Sequence, residues 1–130
     1  FAMGIALVIL LCDQLSSTVI KPLVARYRPC NNVEIMDFVH KVNGRCGRGF
    51  SFVSGHATNY FGVSIFASRV LNDKRVLIPL MIWAGLIAYS RVYLGVHYPG
   101  DIIAGGLLGL VLGTLVYRLY VRISPIESEP

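Results

Sequence analysis

Apolar residues run along this 130-residue chain in four long blocks separated by polar segments. The first block extends from Phe1 to Ile20, with Asp13, Gln14, Ser16, Ser17 and Thr18 in its second half, and is expected to stop where Lys21-Pro22 breaks a helix. The second spans His56 to Leu71, the third Val76 to Val92 and the fourth Ile102 to Val121, where Arg118 sits late enough to snorkel to an interface. A helix rising about 1.5 Å per residue needs about 20 residues to cross a hydrocarbon core. Each block therefore predicts a transmembrane helix, the second and third being short enough to need polar flanking residues to complete them. Asn72 to Arg75 predicts a tight polar turn, whereas Pro29 to Val53 has no clean periodicity. A loop that long is usually functional.

Composition points the same way. Hydrophobic residues make up 55% of the chain and charged ones 15%, with a mean hydropathy of +0.62, against about a quarter charged in a typical soluble domain. Low charge with high hydrophobicity excludes disorder, and a count of three cysteines excludes a small disulfide framework. The predicted fold class is all-α, a polytopic transmembrane helical bundle forming a single domain over residues 1–130. The chain opens on Phe1 inside an apolar run that no charged start or cleavage site frames. It is therefore expected to be cut from something longer, and the run is not a signal peptide. The net charge of +5 raises nucleic acid as a partner, but no basic stripe with interleaved aromatics accompanies it. In a bundle, such cations flank helices at the headgroups or bind phosphate.

If the four blocks alternate direction, one membrane face collects the end of the first, the start of the second, the end of the third and the start of the fourth. That face receives Lys21, Arg26, Arg28, Lys41, Arg45, Arg48 and Arg91, and the opposite face receives Arg69, Lys74, Arg75, Arg118 and Arg122. Counting positive charges would put the first face inside a cell, an inference that weakens if several of those cations bind a ligand. On this face Lys21, Arg28, Ser54-Gly55-His56, Ser90-Arg91, His97 and Asp101 are expected to meet. Lys21 and Arg28 lie nearly two helical turns apart, so both are expected to point to similar azimuths. Arginine offers bidentate bonds to phosphate oxygens and lysine a mobile point charge. Ser54 suits an N-cap, and Gly55 lets an anion approach the free N–H groups of a helix start. His56 stands at that mouth, in a general acid's position. Asp101, four residues beyond His97, suits a partner for one ring nitrogen, leaving the other free to attack phosphorus.

Read together, Lys21-x6-Arg28-Pro29, Ser54-Gly55-His56 and Ser90-Arg91-x5-His97-x3-Asp101 resemble the three-part signature of the type 2 phosphatidic acid phosphatase (PAP2) superfamily. The match runs from Lys21 to Asp101, with Val53 where the family usually has proline. The resemblance implies that His97 is the nucleophile of a phosphohistidine intermediate and Asp101 its orienting partner. It makes His56 the acid that protonates the leaving oxygen and later helps activate water. Lys21, Arg28, Arg91, Ser54 and the Gly55 backbone would hold the phosphoryl oxygens, with no metal and no cofactor. Members typically have six transmembrane helices, so the four here imply missing N-terminal ones. Membrane members act mostly on lipid phosphates or diphosphates, and bacterial ones usually do so at the periplasmic face of the inner membrane. Family frequency favours undecaprenyl diphosphate as substrate. Phosphatidate, phosphatidylglycerol phosphate and lipid A phosphate are alternatives, as is transfer to a lipid acceptor instead of water. A non-catalytic module binding anionic headgroups would need the cations but not His97. A soluble haloperoxidase holding vanadate with a similar residue set is disfavoured by the apolar blocks. Vanadate is still expected to inhibit, as a mimic of five-coordinate phosphorus.

Further features carry two readings each. Asp13 pairs with Lys21, or makes a structural bond to Ser16, Ser17 or a neighbouring helix, and it stays outside the catalytic set. Gly105, Gly109 and Gly113 form a smooth face, better suited to packing within the chain than to dimerisation. The glycines of Gly44-Arg45-Cys46-Gly47-Arg48-Gly49 lack nucleotide-loop spacing and predict a flexible turn near the site. Arg45 and Arg48 either touch a second phosphate or headgroup or are solvated. Cys30 and Cys46 bracket the loop and would form a disulfide if this face is periplasmic, restricting the unfolded chain by about 3 kcal/mol.

Overall fold

The computed structural model describes residues 1–124, so the last six residues of the expected domain lie outside the described residues. Four helices account for most of the chain: α1 (Ala2–Val24), α2 (Gly55–Leu71), α3 (Lys74–Tyr93) and α4 (Pro99–Ile123). The described residues form no strand, and one isolated bridge pairs Tyr27 with Phe50. Helix α1 runs through Lys21-Pro22 instead of stopping there. Its middle, Gln14–Ile20, is a π-helical segment, so Pro22 opens a fresh α-helical turn, a position where its missing N–H costs little. The helix ends at Ala25, whose left-handed φ of 51° reverses the chain.

Three helices, α1, α3 and α4, are long and apolar enough to cross a membrane. Helix α2, with 17 residues, falls short because it is the inner helix, packed against all three others. Protein rather than lipid covers it, so small and polar residues such as Thr58, Gly62, Ser64 and Ser68 are buried there. On α4 the opposite division holds. Ile103, Leu107, Val111, Leu115 and Leu119 recur every four residues and are exposed, forming a face suited to lipid.

The other face of α4 carries the glycine repeat, and it packs within the chain. A Cβ at Gly109 would overlap the Thr58 carbonyl oxygen and lie 2.9 Å from the Gly62 nitrogen, while one at Gly105 would lie 2.7 Å from the Ser54 carbonyl oxygen. The two backbones thus touch directly, which fixes the start of α2 against the start of α4. A small apolar core of Val8, Cys12, Phe66 and Val116 ties α1 to this pair. Gly109→Val is expected to destabilise the protein by about 3 kcal/mol or more, because rigid backbone cannot yield as a side chain does. Gly85→Ala, where an added Cβ meets nothing within 4 Å, is the control. Thermal melting in detergent should separate the two, and equal melting temperatures would refute backbone contact as the reason for the glycines.

Candidate active site

The ends of the helices frame a cavity of about 600 Å³ lined by Lys21, Arg28, Gly55, His56, Arg91 and His97. It continues along α1 and α2 past Ser17, Asp13 and Asn59 to Ile9 and Val63. Residues distant in sequence meet here because α2 and α4 start, and α1 and α3 end, at the same level.

Each element delivers its side chains for a local reason. The π-helical segment of α1 buries Ser16 within it, adds a residue to the turn and changes the azimuth of the residues after it, so that Lys21 faces the cavity. An added Cβ on Gly55 would sit 3.6 Å from Ser16 Oγ and 4.0 Å from Lys21 Nζ, placing the glycine between them at the mouth of α2. Ser54 is the N-cap of α2, its Oγ accepting from the Ala57 N–H at 3.3 Å. It is fully buried and does not line the cavity. His56 is exposed at the mouth, its ring stacked toward Tyr60 with centroids 6.5 Å apart.

Arg28 does not reach the site by sharing a helical azimuth with Lys21. The helix ends before it, and the reversal at Ala25 brings it back from the loop. Its Nη1 donates to the Val96 carbonyl at 3.3 Å and its Nη2 to the Arg48 carbonyl at 3.0 Å. Gly47 makes this possible, since a Cβ there would stand 2.9 Å from the guanidinium carbon. Arg28 Nε and Arg91 Nε are both buried without a hydrogen-bond partner, and both side chains line the cavity. Buried guanidinium donors left open in this way suit an anion.

His97 is 3% exposed and Asp101 is fully buried behind it, outside the cavity lining. His97 Nδ1 lies 3.5 Å from Asp101 Oδ2, a contact rather than a formed hydrogen bond. The same Oδ2 accepts from the Tyr98 N–H at 2.8 Å, and Oδ1 accepts from Arg26 Nη1 at 3.2 Å. The carboxylate is thereby fixed from two sides. Burial pushes the His97 imidazole below its ordinary pKa, Asp101 pulls the other way, and Arg28 and Lys21 add to the lowering.

The loop is held to the site as well. A disulfide joins Cys30 and Cys46, with Cα atoms 5.9 Å apart, and the Cys30 N–H donates to the Gly95 carbonyl at 3.0 Å. Gly95 itself requires glycine: its φ is 72°, and a Cβ would meet the Val39 side chain and the His40 carbonyl. Asp13 takes its structural reading, accepting from Asn59 Nδ2 of α2 at 2.7 Å. Sequence reasoning misses the parts played by Arg26, Ser16 and Gly47. Arg26 counts among the cations of this face, but no spacing rule ties it to Asp101, 75 residues away.

The sequence profile of the PAP2 superfamily matches residues 2–125. The lipid A 4'-phosphatase of Porphyromonas gingivalis is 41% identical over 118 residues, covering 91% of this chain and 50% of that protein. Phosphatidylglycerophosphatase B of Bacillus subtilis is 35% identical over 113 residues, covering 80% of this chain and 51% of that protein. The chain thus spans about half the length of the curated relatives it matches. A solved structure, the transmembrane PAP2-type phosphatidylglycerolphosphate phosphatase from Bacillus subtilis, superposes with a TM-score of 0.73 at 32% identity, covering 95% of this chain and 60% of that one.

Proposed function

Because the chain belongs to the PAP2 superfamily and is an integral membrane protein, we propose that its cavity is the phosphoryl-transfer site of a lipid phosphatase working through a phosphohistidine. One observation carries this reading: two histidines and three cations from separate parts of the chain converge on one cavity at the ends of the helices, with a buried carboxylate directly behind one of the histidines.

In the first step the lone pair of His97 Nε2 attacks phosphorus, a P–N bond forms and the bond to the lipid oxygen breaks. His56 gives its proton to that oxygen. Lys21, Arg28 and Arg91 neutralise the equatorial oxygens, assisted by the free N–H groups that open α2. In the second step His56 takes a proton from water, the water oxygen attacks phosphorus and the P–N bond breaks, returning His97 and releasing phosphate. Ser54 contributes by capping α2, and Asp101 by orienting the His97 ring. Fixed cations provide the charge stabilisation, so the steps call on no metal.

For the substrate we favour a phosphate carried on a lipid A-type headgroup, supported by relatives of that name that match over most of the chain. Undecaprenyl diphosphate is the second candidate, supported by a relative matching a shorter stretch. A bacterial inner membrane, with the cavity facing the periplasm, agrees with the disulfide beside the site.

Phosphate release in detergent micelles containing a chelator tests the reading, with lipid A, undecaprenyl diphosphate, phosphatidate and phosphatidylglycerol phosphate in parallel. Release from at least one lipid, inhibited by vanadate, is expected. Tight binding of these lipids with release from none would instead establish a headgroup-binding module.

A further inference from the structure

A second cavity, about 900 Å³, opens beside the first, between the loop around Gly44 to Arg48 and the turn after α3. Arg45, Arg48 and Arg91 line it together with Gly44, Gly47 and Val96, and none of the described residues lining it is acidic. Arg91 also lines the first cavity, so the two adjoin at this residue. The loop is not free to drift. The Cys30–Cys46 disulfide holds its middle, and the Arg48 carbonyl accepts from Arg28, which also faces the catalytic cavity. Gly47 packs on that same guanidinium, and Gly44, at a φ of 65°, turns the chain just before Arg45. The arginine side chains themselves make no ion pair among the described residues. Three arginines line a space without counter-charge, Arg45 and Arg48 from its exposed rim and Arg91 with its Nε buried and unpartnered, a set suited to an anion with several oxygens.

We propose that this loop cavity is a second phosphate-binding site, reached from the first across Arg91. The inference rests on the phosphatase reading, which would supply such anions from two sources. The substrate's headgroup can carry a second phosphate, or the phosphate freed from His97 can pause there on its way to water. The lining of this second site comes from the loop, the last turn of α3 and the turn after it, with no residue of α1 or α2, whereas the first cavity runs along those two helices toward Ile9 and Val63. A group attached to the headgroup's outer part, or one leaving for water, fits that position.

The test uses full-length protein bearing His97→Ala, which binds without turning over, and compares it with the same protein also bearing Arg45→Gln and Arg48→Gln. The backbone carbonyl that Arg28 uses survives both of these changes. Inorganic phosphate titrated by calorimetry is expected to fill two sites per chain in the first protein and one in the second. A lipid with two headgroup phosphates is compared with the same lipid bearing one. Loss of about tenfold in affinity for the two-phosphate lipid alone assigns the site to substrate, and loss confined to inorganic phosphate assigns it to product. Restoring charge with Arg45→Lys and Arg48→Lys should recover part of the lost binding, the bidentate bonds staying lost. A single phosphate per chain, with the lipid affinities unmoved by the glutamines, would overturn the proposal, as would equal weakening of both lipids. Because these are equilibrium measurements, failure of wild-type protein to release phosphate would sink the phosphatase reading separately.

Discussion

His97→Ala is expected to lower phosphate release by about four to six orders of magnitude while leaving lipid binding nearly intact. The asymmetry comes from the division of labour. Lys21, Arg28 and Arg91 line the cavity and are untouched by the substitution, whereas no other imidazole among the described residues stands both buried and backed by a carboxylate. His56 is exposed at the mouth, and among the described residues no ion pair joins it to a carboxylate, so it is poorly placed to take over attack. Radiolabelled substrate should mark wild-type protein with an acid-labile, base-stable phosphate that the variant lacks. Retention of more than about one part in a hundred of the wild-type rate would exclude His97 as nucleophile.

The pH profile gives an independent reading of the same group. Attack needs the neutral ring, so the rate is lost as pH falls through the His97 pKa. Burial lowers that pKa from the ordinary histidine value of 6.5. The acid limb should therefore lie below pH 6.5, and one centred clearly above it would mean that a different group is titrating.

How much of the fold and the site is legible in the sequence depends on the range of the interaction concerned. Helices α1, α3 and α4 can be read from apolar block length, because lipid imposes a hard minimum on a spanning segment, whereas α2 is legible as a helix but not as the inner one. Helices α2, α3 and α4 start one to three residues before their apolar blocks, at Gly55, Lys74 and Pro99, because caps and first turns are polar. The packing role of the glycine repeat is readable from its regular spacing, and the Cys30–Cys46 pairing from the way the two cysteines bracket one loop. Features set by tertiary approach escape. Pro22 sits inside α1 because a π-helical segment precedes it, and nothing in Gln14–Ile20 announces that register. Arg28 reaches the cavity through a chain reversal at an alanine with positive φ, a residue that carries no turn signal. Arg26, Ser16 and Gly47 act through neighbours that only the folded chain supplies.

Asp101→Asn is expected to be the next most damaging single change, lowering release by about two to four orders of magnitude. The carboxylate offers acceptors on both sides: Oδ2 to the Tyr98 N–H and toward His97 Nδ1, Oδ1 to Arg26. An amide can accept on only one side. With its oxygen toward Tyr98 and His97, its NH₂ meets the Arg26 guanidinium, donor against donor. Flipped, it meets the Tyr98 N–H and ceases to hold the proton on Nδ1, so His97 loses the tautomer that frees Nε2 for attack. Loss of the negative charge also removes the influence that raises the His97 pKa, so the acid limb should move to lower pH as the plateau rate falls. That shift separates positioning from mere damage to the fold, because a loosened bundle would expose His97 and carry its limb up toward the ordinary histidine value. Arg26→Gln, which leaves the carboxylate in place but removes its outer partner, should cost only about tenfold, with the limb moving slightly upward as Asp101 is freed to pull on His97. A limb that stays fixed in Asp101→Asn would mean that this carboxylate shapes the turn at Tyr98 and not the chemistry at His97.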